Sequence, residues 1–303
     1  MSAEAKPLYA PFETPYRMSM GLMALKPEEW IEVDADWACD LAEKRRLLAE
    51  RHDELVRVLP GSEPAQAEVL ALLVAHLAAQ FPERFRRGGA ALSLPDLAER
   101  WDLDQDALSP IDLAGRLVQE DLCLMQHVDG AWRLTAASVC FPTRWRLADK
   151  MGQPLDVIHD PVPGLRDRLA NPMGRFFDRM KVARPVWRIN WSLIDDEALY
   201  QPKGHGRRQA DPTITPENAG ERVWLRVERQ TLRRLAESDA ILFTIRIHRW
   251  PLARLAALPE AAERLRLAIE TMPAQMQGYK SLPVFGEAVR SYLGDLEGTG
   301  DAL

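Results

Sequence analysis

The sequence predicts an α+β protein: a five-stranded antiparallel sheet flanked by helices, with further helices elaborating its N-terminal side. Two observations predict this class. Leucines recur at helical spacing before residue 120, whereas apolar and polar residues alternate with period two in several stretches between residues 121 and 248. Alternation of this quality is typical of antiparallel strands that each bury one face.

We expect one continuous domain, since neither an internal repeat nor a sharp change of composition divides the 303 residues. Residues 1–120 would form an arm and helices that pack on the core. Residues 121–250 would form the sheet core, and residues 251–303 would close the domain with helices.

The N-terminal part is predicted to contain an extended arm and four helices. Prolines interleaved with aromatic residues indicate the arm, over residues 1–30. Leucine spacing and capping residues predict helices over residues 36–59 and 63–81. Shorter helices are predicted over residues 93–101 and 109–119, the latter starting at Ser109-Pro-Ile-Asp.

The sheet is predicted from a hairpin and three further strands. Asp129-Gly130 would turn the hairpin between residues 121–128 and 132–136, and the other strands cover residues 186–194, 222–228 and 240–248. Between and after them we expect helices over residues 166–181, 230–237, 251–270 and 284–296. Residues 203–220, rich in Pro, Gly and charge, are expected to form a mobile loop that leaves His205 solvated.

Composition limits the classes of function. Hydrophobic residues make up 47% of the chain and charged residues 28%, which predicts a packed soluble core. The net charge of −6 argues against broad nucleic-acid binding. No apolar run approaches the ~20 residues of a membrane helix, and the N-terminus lacks the apolar core of a secretion signal. We therefore expect a cytoplasmic protein that does not enter a membrane.

Several familiar sites are missing from the sequence. It contains no GxxxxGK[ST], no GxGxxG after a strand, no GxSxG and no HExxH. The three cysteines lack CxxC spacing, which argues against a cysteine-ligated zinc or iron–sulfur site. The six histidines are never spaced i,i+4 on a helix, so a single-histidine site whose cofactor supplies the other ligands is easier to build.

His159 is the first candidate site residue. It precedes Asp160 and a Pro161-Val-Pro163 arm, in which proline fixes φ and pushes Asp160 towards an extended conformation. Such a rigid mount suits a metal ligand. The alternative is a loop histidine that bonds a nearby backbone group.

Charged residues on the strands can be interpreted in two ways, as a polar face or as a ligand-binding site. Arg188, Arg226 and Arg246 alternate with apolar residues on three strands. They form either a polar face covered by water or helices, or a set of cations for an anionic ligand such as haem propionates, which arginine binds in bidentate fashion. Glu228 lies between Arg226 and Arg229 along the chain, so a structural ion pair competes with any binding role.

Four ordered segments resemble one known family: residues 141–163, 188–191 (Arg-Ile-Asn-Trp), 225–235 and 238–246. The first contains Phe-Pro-Thr-Arg-Trp, Asp-Lys-Met-Gly and Ile-His-Asp-Pro-Val-Pro. They resemble the haem-dependent oxidative N-demethylase family, specifically its haem-bearing subunit, and the likeness covers roughly residues 12–260. Ala236 departs from the family, where a proline is expected.

The resemblance implies a PAS-like fold that holds haem b between the sheet and a helical flank. It also implies oxidation of a small methylated amine by dioxygen, with electrons from a separate flavin and iron–sulfur reductase. Two other functions compete with this one: a haem-based gas or redox sensor, and a family member that has lost haem and keeps a binding role.

The family motif makes His159 our candidate axial ligand, followed by His248 and then His127. Arg226 and Arg188 are the candidate cofactor-binding residues. Glu228 is the candidate catalytic carboxylate that receives the protonated amine, with Asp239 or Asp160 as the alternative acceptor.

Overall fold

The computed structural model describes residues 8–104 and 107–298. In this part of the chain nine α-helices accompany ten strands. The helices are α1 (Trp37–Leu55), α2 (Glu63–Gln80), α3 (Pro110–Leu117), α4 (Leu155–His159), α5 (Leu165–Arg179), α6 (Ala219–Arg222), α7 (Pro259–Thr271), α8 (Ala274–Tyr279) and α9 (Gly286–Gly298). The strands are β1 (Met23–Ala24), β2 (Val56–Val58), β3 (Arg86–Gly88), β4 (Ala91–Leu94), β5 (Glu99–Asp102), β6 (Asp121–Val128), β7 (Ala131–Ser138), β8 (Val186–Ile194), β9 (Trp224–Arg234) and β10 (Ile241–Pro251).

The α+β class is confirmed, with a larger sheet than predicted. Seven antiparallel strands lie in the order β1-β8-β9-β10-β6-β7-β2, so all five predicted strands are present at its centre. The two additional strands lie at the edges and contain only two and three residues. Strands this short cannot display an alternating pattern, which is why the sequence did not reveal them.

The predicted hairpin turn is confirmed between β6 and β7. Asp129 and Gly130 both adopt positive φ, 49° and 75°, as a two-residue turn between twisted antiparallel strands requires. The predicted helix over residues 230–237 is wrong, because β9 continues to Arg234 and pairs with β10 along its whole length. Pairing with β10 has overridden the helical appearance of these residues, as tertiary contacts commonly do.

The short helix predicted over residues 93–101 is also wrong. Strands β4 and β5 pair there around a single 3-10 turn at Pro95–Leu97, and β3 completes a small three-stranded sheet. Leu92 and Leu94 are fully buried in the same core cluster as α2. Burial of this small sheet against a helix replaces the expected helix.

Both faces of the large sheet are covered. We call one the Glu228 face: it carries Arg188 and Asn190 of β8, together with Arg226, Glu228 and Gln230 of β9. Apolar side chains of α4 and α5 pack on part of it. The other is the Arg246 face, which packs against α1–α3 on one half and α7 and α9 on the other. Residues that the sequence marked as the polar side of a strand are therefore partly buried (Arg188 and Asn190) or buried (Arg226, Glu228 and Gln230) as well.

In the part of the chain that the structure describes, every helix is too short or too polar to cross a membrane.

Candidate functional site

His159 ends α4 with its ring in a defined tautomer. The Nδ1 atom lies 2.8 Å from the backbone oxygen of Leu155, and since a carbonyl oxygen only accepts, Nδ1 must carry the hydrogen. Burial lowers the pKa of His159, which favours the neutral ring. A neutral imidazole protonated on Nδ1 presents its Nε2 lone pair, the arrangement of a metal-ligating histidine whose other nitrogen is held by the backbone.

The local sequence explains this orientation. Pro154 precedes the first residue of α4, and Val162 donates back to the backbone oxygen of His159 over 3.0 Å, which closes a tight turn. The turn ends at Gly164, whose φ of 72° lies in the left-handed region. Asp160 was expected to be extended, but its φ of −52° and ψ of −34° are helical, because it caps α4. His159 thus both bonds a backbone group, as the simpler reading predicted, and remains able to bind a ligand.

Glu228 lies in the middle of its face, where its described partners are amides rather than cations. Its Oε2 accepts from Gln230 over 2.7 Å and from Asn190, its partner across the strand pair, over 3.3 Å. Glu228 is 8% exposed. Among the described side chains, which exclude those of residues 166–171, Glu228 forms no ion pair within 4.0 Å, so neither Arg226 nor Arg229 makes the pair weighed from the sequence. Neighbouring Arg229 points to the opposite face, where its Nε lies 3.4 Å from Glu32.

Arg188 is a half-buried cation without an acidic partner among the described side chains. It lies across from Gln230, diagonal to Glu228 on the same face. Its Nε atom is buried and makes no hydrogen bond among the described residues, and burial lowers the pKa of the guanidinium. A buried, unpaired charge costs several kcal/mol in effective terms. The arrangement therefore suits an anionic ligand that would pair with Arg188.

Arg226 and Arg246 already have several partners each, although the buried Nε of Arg246 has none among the described residues. Arg226 donates to the backbone oxygens of Phe141 and Leu199 over 2.8 and 3.0 Å and to the Thr143 hydroxyl over 3.0 Å. Arg246 lies on the opposite face, where its ion pairs with Asp34 and Asp40 measure 2.8 and 3.1 Å. These bonds give both arginines structural roles.

The other candidate residues lie elsewhere, except Asp160, which follows His159 in the chain. His248 is on the Arg246 face, with Nε2 2.8 Å from Glu32. His127 is exposed near the hairpin turn, with its ring packed on Trp132. Asp239 is paired with Arg234 in the turn between β9 and β10. Asp160 is exposed after α4.

Two site residues were missed by the sequence: Tyr279 and Lys280, at the end of α8. Lys280 Nζ donates to the backbone oxygen of Trp191 on β8, and burial lowers the pKa of the lysine to about 8. Burial and the charge of Glu228 raise the pKa of Tyr279 to about 12. His205, exposed as expected, stacks on the Tyr279 ring with centroids 4.4 Å apart. Neither Tyr279 nor Lys280 belongs to a motif or an alternating strand, so the sequence gave no indication of either.

An apolar surface adjoins these polar groups. Ile158, next to His159, and Leu155 of the same helix pack in one cluster with Val186, Leu232 and Phe243 of the sheet. Among the described residues no group of three or more His, Cys, Asp and Glu could hold a metal ion. An available imidazole, the Arg188 guanidinium, which has no partner among the described side chains, and an apolar surface fit a haem, which brings its own nitrogen ligands, an apolar macrocycle and carboxylates.

A comparison with protein families gives an independent result. The family model for the haem-dependent oxidative N-demethylase, alpha subunit-like, matches residues 21–290, which is most of the chain. The match includes both sheet faces, His159, Glu228 and Lys280. The chain belongs to the haem-dependent oxidative N-demethylase alpha subunit-like family.

Proposed function

We propose that this chain binds haem b and, with dioxygen, removes a methyl group oxidatively from a small methylated amine. His159 would ligate the iron through Nε2. The observation that carries the proposal is the neutral, Nδ1-bonded His159 close to the unpaired Arg188, in a chain of this family. The five central strands lie in the spatial order β8-β9-β10-β6-β7, which supports a PAS-like sheet at the centre of the seven.

Arg188 is the better of the two proposed cofactor-binding arginines. Its guanidinium has no partner among the described residues, so a haem carboxylate would relieve the cost of its burial. Arg226 would have to give up bonds to backbone oxygens before it could bind the cofactor. We therefore assign propionate binding to Arg188 and a structural role to Arg226.

Glu228 is proposed to receive the substrate. A dialkylamine is protonated at neutral pH, and a buried ammonium needs a carboxylate partner. Glu228 is buried, and only its Oε2 atom is hydrogen-bonded within the described chain, which leaves Oε1 for the ligand. Asn190 and Gln230 fix the carboxylate, so its orientation is set before the substrate arrives.

Haem, when bound, supplies the activation of dioxygen. In the overall change one oxygen atom enters a methyl C–H bond, and the other leaves as water with two electrons and two protons. The resulting carbinolamine then breaks its C–N bond to give the smaller amine and formaldehyde. The chain's own contribution is to bind the ammonium at Glu228 and to keep water away with the apolar cluster around Ile158.

The electrons are proposed to come from a separate flavin and iron–sulfur reductase. The family description of the chain as an alpha subunit implies further components. Purified chain should fail to oxidise NADPH, with or without amine, and should turn over once the reductase is added. Steady NADPH oxidation by the chain alone would contradict this assignment.

The decisive experiment is reconstitution with haem. Wild-type protein should show a Soret band and amine-dependent oxygen consumption, and His159→Ala should lose the band while keeping its melting temperature. His127→Ala, which changes an exposed histidine, is the matched control and should keep the spectrum. A normal haem spectrum in His159→Ala would show that another residue ligates the iron. A Soret band without amine oxidation would favour a sensor, and no band in the wild type would favour a haem-free binding protein.

A further inference from the structure

Lys280 is a second buried cation near Glu228. It is 8% exposed, and its ammonium donates to the backbone oxygen of Trp191. The same ammonium lies 5.2 Å from the centroid of the Trp191 indole ring. The ammonium has three hydrogens, and the described residues provide no second acceptor and no carboxylate within 4.0 Å. A bond to one carbonyl and contact with one ring compensate a buried ammonium only in part.

Lys280 and Glu228 are near one another but do not touch. Lys280 bonds Trp191, and the adjacent residue on β8, Asn190, bonds Glu228. Glu228 raises the pKa of Lys280 and Arg188 lowers it, so both charges are close enough to act on the ammonium. The Lys280 nitrogen and the Glu228 carboxylate nevertheless lie more than 4.0 Å apart, beyond an ion pair. The structure therefore leaves the second and third hydrogens of Lys280 and the Oε1 atom of Glu228 without a described bond.

A simple dialkylammonium would satisfy only half of this arrangement. It would pair with Glu228 and leave Lys280 buried without an anion, adding a third cation to a region that already holds Arg188. Arg188 is itself a cation and lowers the pKa of Lys280, so it cannot compensate it. A ligand with an ammonium and a carboxylate a few bonds apart would compensate both side chains at once.

We propose that the substrate is a zwitterion, an N-methylated amino acid, whose ammonium pairs with Glu228 and whose carboxylate pairs with Lys280. This inference rests on the proposed function and names the substrate class of the same site. The chemistry at the methyl group is unchanged: dioxygen and two electrons from the reductase convert it to formaldehyde, and the product is the amino acid with one methyl group fewer.

The test is direct binding to haem-reconstituted protein, measured by calorimetry at pH 7. N,N-dimethylglycine should bind wild-type protein at least tenfold more tightly than dimethylammonium. Lys280→Met should abolish this preference by weakening the binding of dimethylglycine and leaving that of dimethylammonium unchanged. Lys280→Arg should retain part of the preference. Lys203→Met, which removes an exposed lysine of a nearby loop, is the matched control and should behave as wild type.

The outcomes separate this inference from the proposed function. Equal affinity of wild-type protein for the two compounds, or tighter binding of dimethylammonium, would overturn the zwitterion and leave the proposed demethylation standing. Absence of a Soret band after reconstitution would overturn both. Because the comparison between ligands needs only wild-type protein, the inference stays testable even where a Lys280 variant fails to fold.

Discussion

Replacing Lys280 by methionine should stabilise the haem-free protein at neutral pH. Burial lowers the pKa of Lys280 from its ordinary 10.5 to about 8, so folding works against its positive charge. Each pKa unit corresponds to about 1.4 kcal/mol, and the shift therefore represents a penalty of about 3 kcal/mol. Losing the bond to the Trp191 oxygen costs about 1 kcal/mol, which leaves a net gain of about 2 kcal/mol for Lys280→Met at pH 7.

The sign of this effect should reverse in alkali. A lysine with a depressed folded-state pKa destabilises the fold most below about pH 8, where it is charged in both states. Between about pH 8 and 10.5 the folded chain has lost the proton and the unfolded chain still holds it, so wild-type stability rises with pH relative to the variant. Among the groups facing Lys280, Glu228 raises its pKa, Arg188 lowers it, and Tyr279, with a pKa of about 12, stays neutral in this window.

Urea unfolding of wild type and Lys280→Met at pH 7 and pH 10 provides the measurement. The difference in unfolding free energy between the two proteins should fall by about 2–3 kcal/mol over this interval and approach zero or change sign. Lys203→Met should show no such pH dependence, because Lys203 is exposed. A difference in unfolding free energy that is the same at both pH values would show that the pKa of Lys280 is not lowered in the folded protein. It would remove the energetic argument for a zwitterionic substrate.

Three further predictions concern the scaffold. Gly115→Ala should lower the free energy of unfolding by about 1–3 kcal/mol, because a Cβ there would fall 2.2 Å from Oγ of Ser138. At Gly294 a Cβ would meet nothing within 4 Å, so Gly294→Ala should stabilise α9 by about 0.5–1 kcal/mol. Urea unfolding that ranks the two variants the other way would contradict the packing at α3. Arg246→Met should destabilise the protein by about 3–5 kcal/mol by leaving its two aspartates unpaired, and a loss below 1 kcal/mol in the same assay would argue against this network. Ellman's reagent should label only Cys39 in the folded chain and all three cysteines after unfolding, since the other two are buried; two fast thiols would refute that burial.

The sheet was predictable because its signal is local. Period-two alternation located all five central strands, and Asp129-Gly130 fixed the turn of the first hairpin. The helix wrongly placed over residues 230–237 shows where this reasoning fails, since only pairing with β10 keeps those residues extended. The edge strands β1 and β2 were missed because two or three residues cannot show an alternating pattern; only pairing with their neighbours reveals them.

The candidate site was predictable only in part. The proline-rich arm and the family motif directed attention to His159, and alternation placed Arg188 and Glu228 on the polar sides of their strands. Which arginine is unpaired depends on partners remote in sequence: Arg226 bonds Phe141, and Arg246 bonds Asp34, more than 200 positions away. No local pattern contains such information, and Lys280 was missed for the same reason.

The two faces of the sheet treat buried charge differently, and this contrast is the strongest physical argument for a ligand site. On the Arg246 face, the two buried arginines each meet a carboxylate: Arg246 pairs with Asp34 and Asp40, and Arg229 with Glu32. The half-buried Arg233 lies over the Trp30 ring instead. Arg188 on the Glu228 face has no carboxylate partner among the described side chains, and neither has Lys280, which bonds Trp191 of β8. The charge of Glu228 acts on both cations. A fold able to pair arginines on one face has no structural need to leave cations unpaired on the other. Uncompensated charge persists where a ligand restores the balance, at the cost of stability in the free protein.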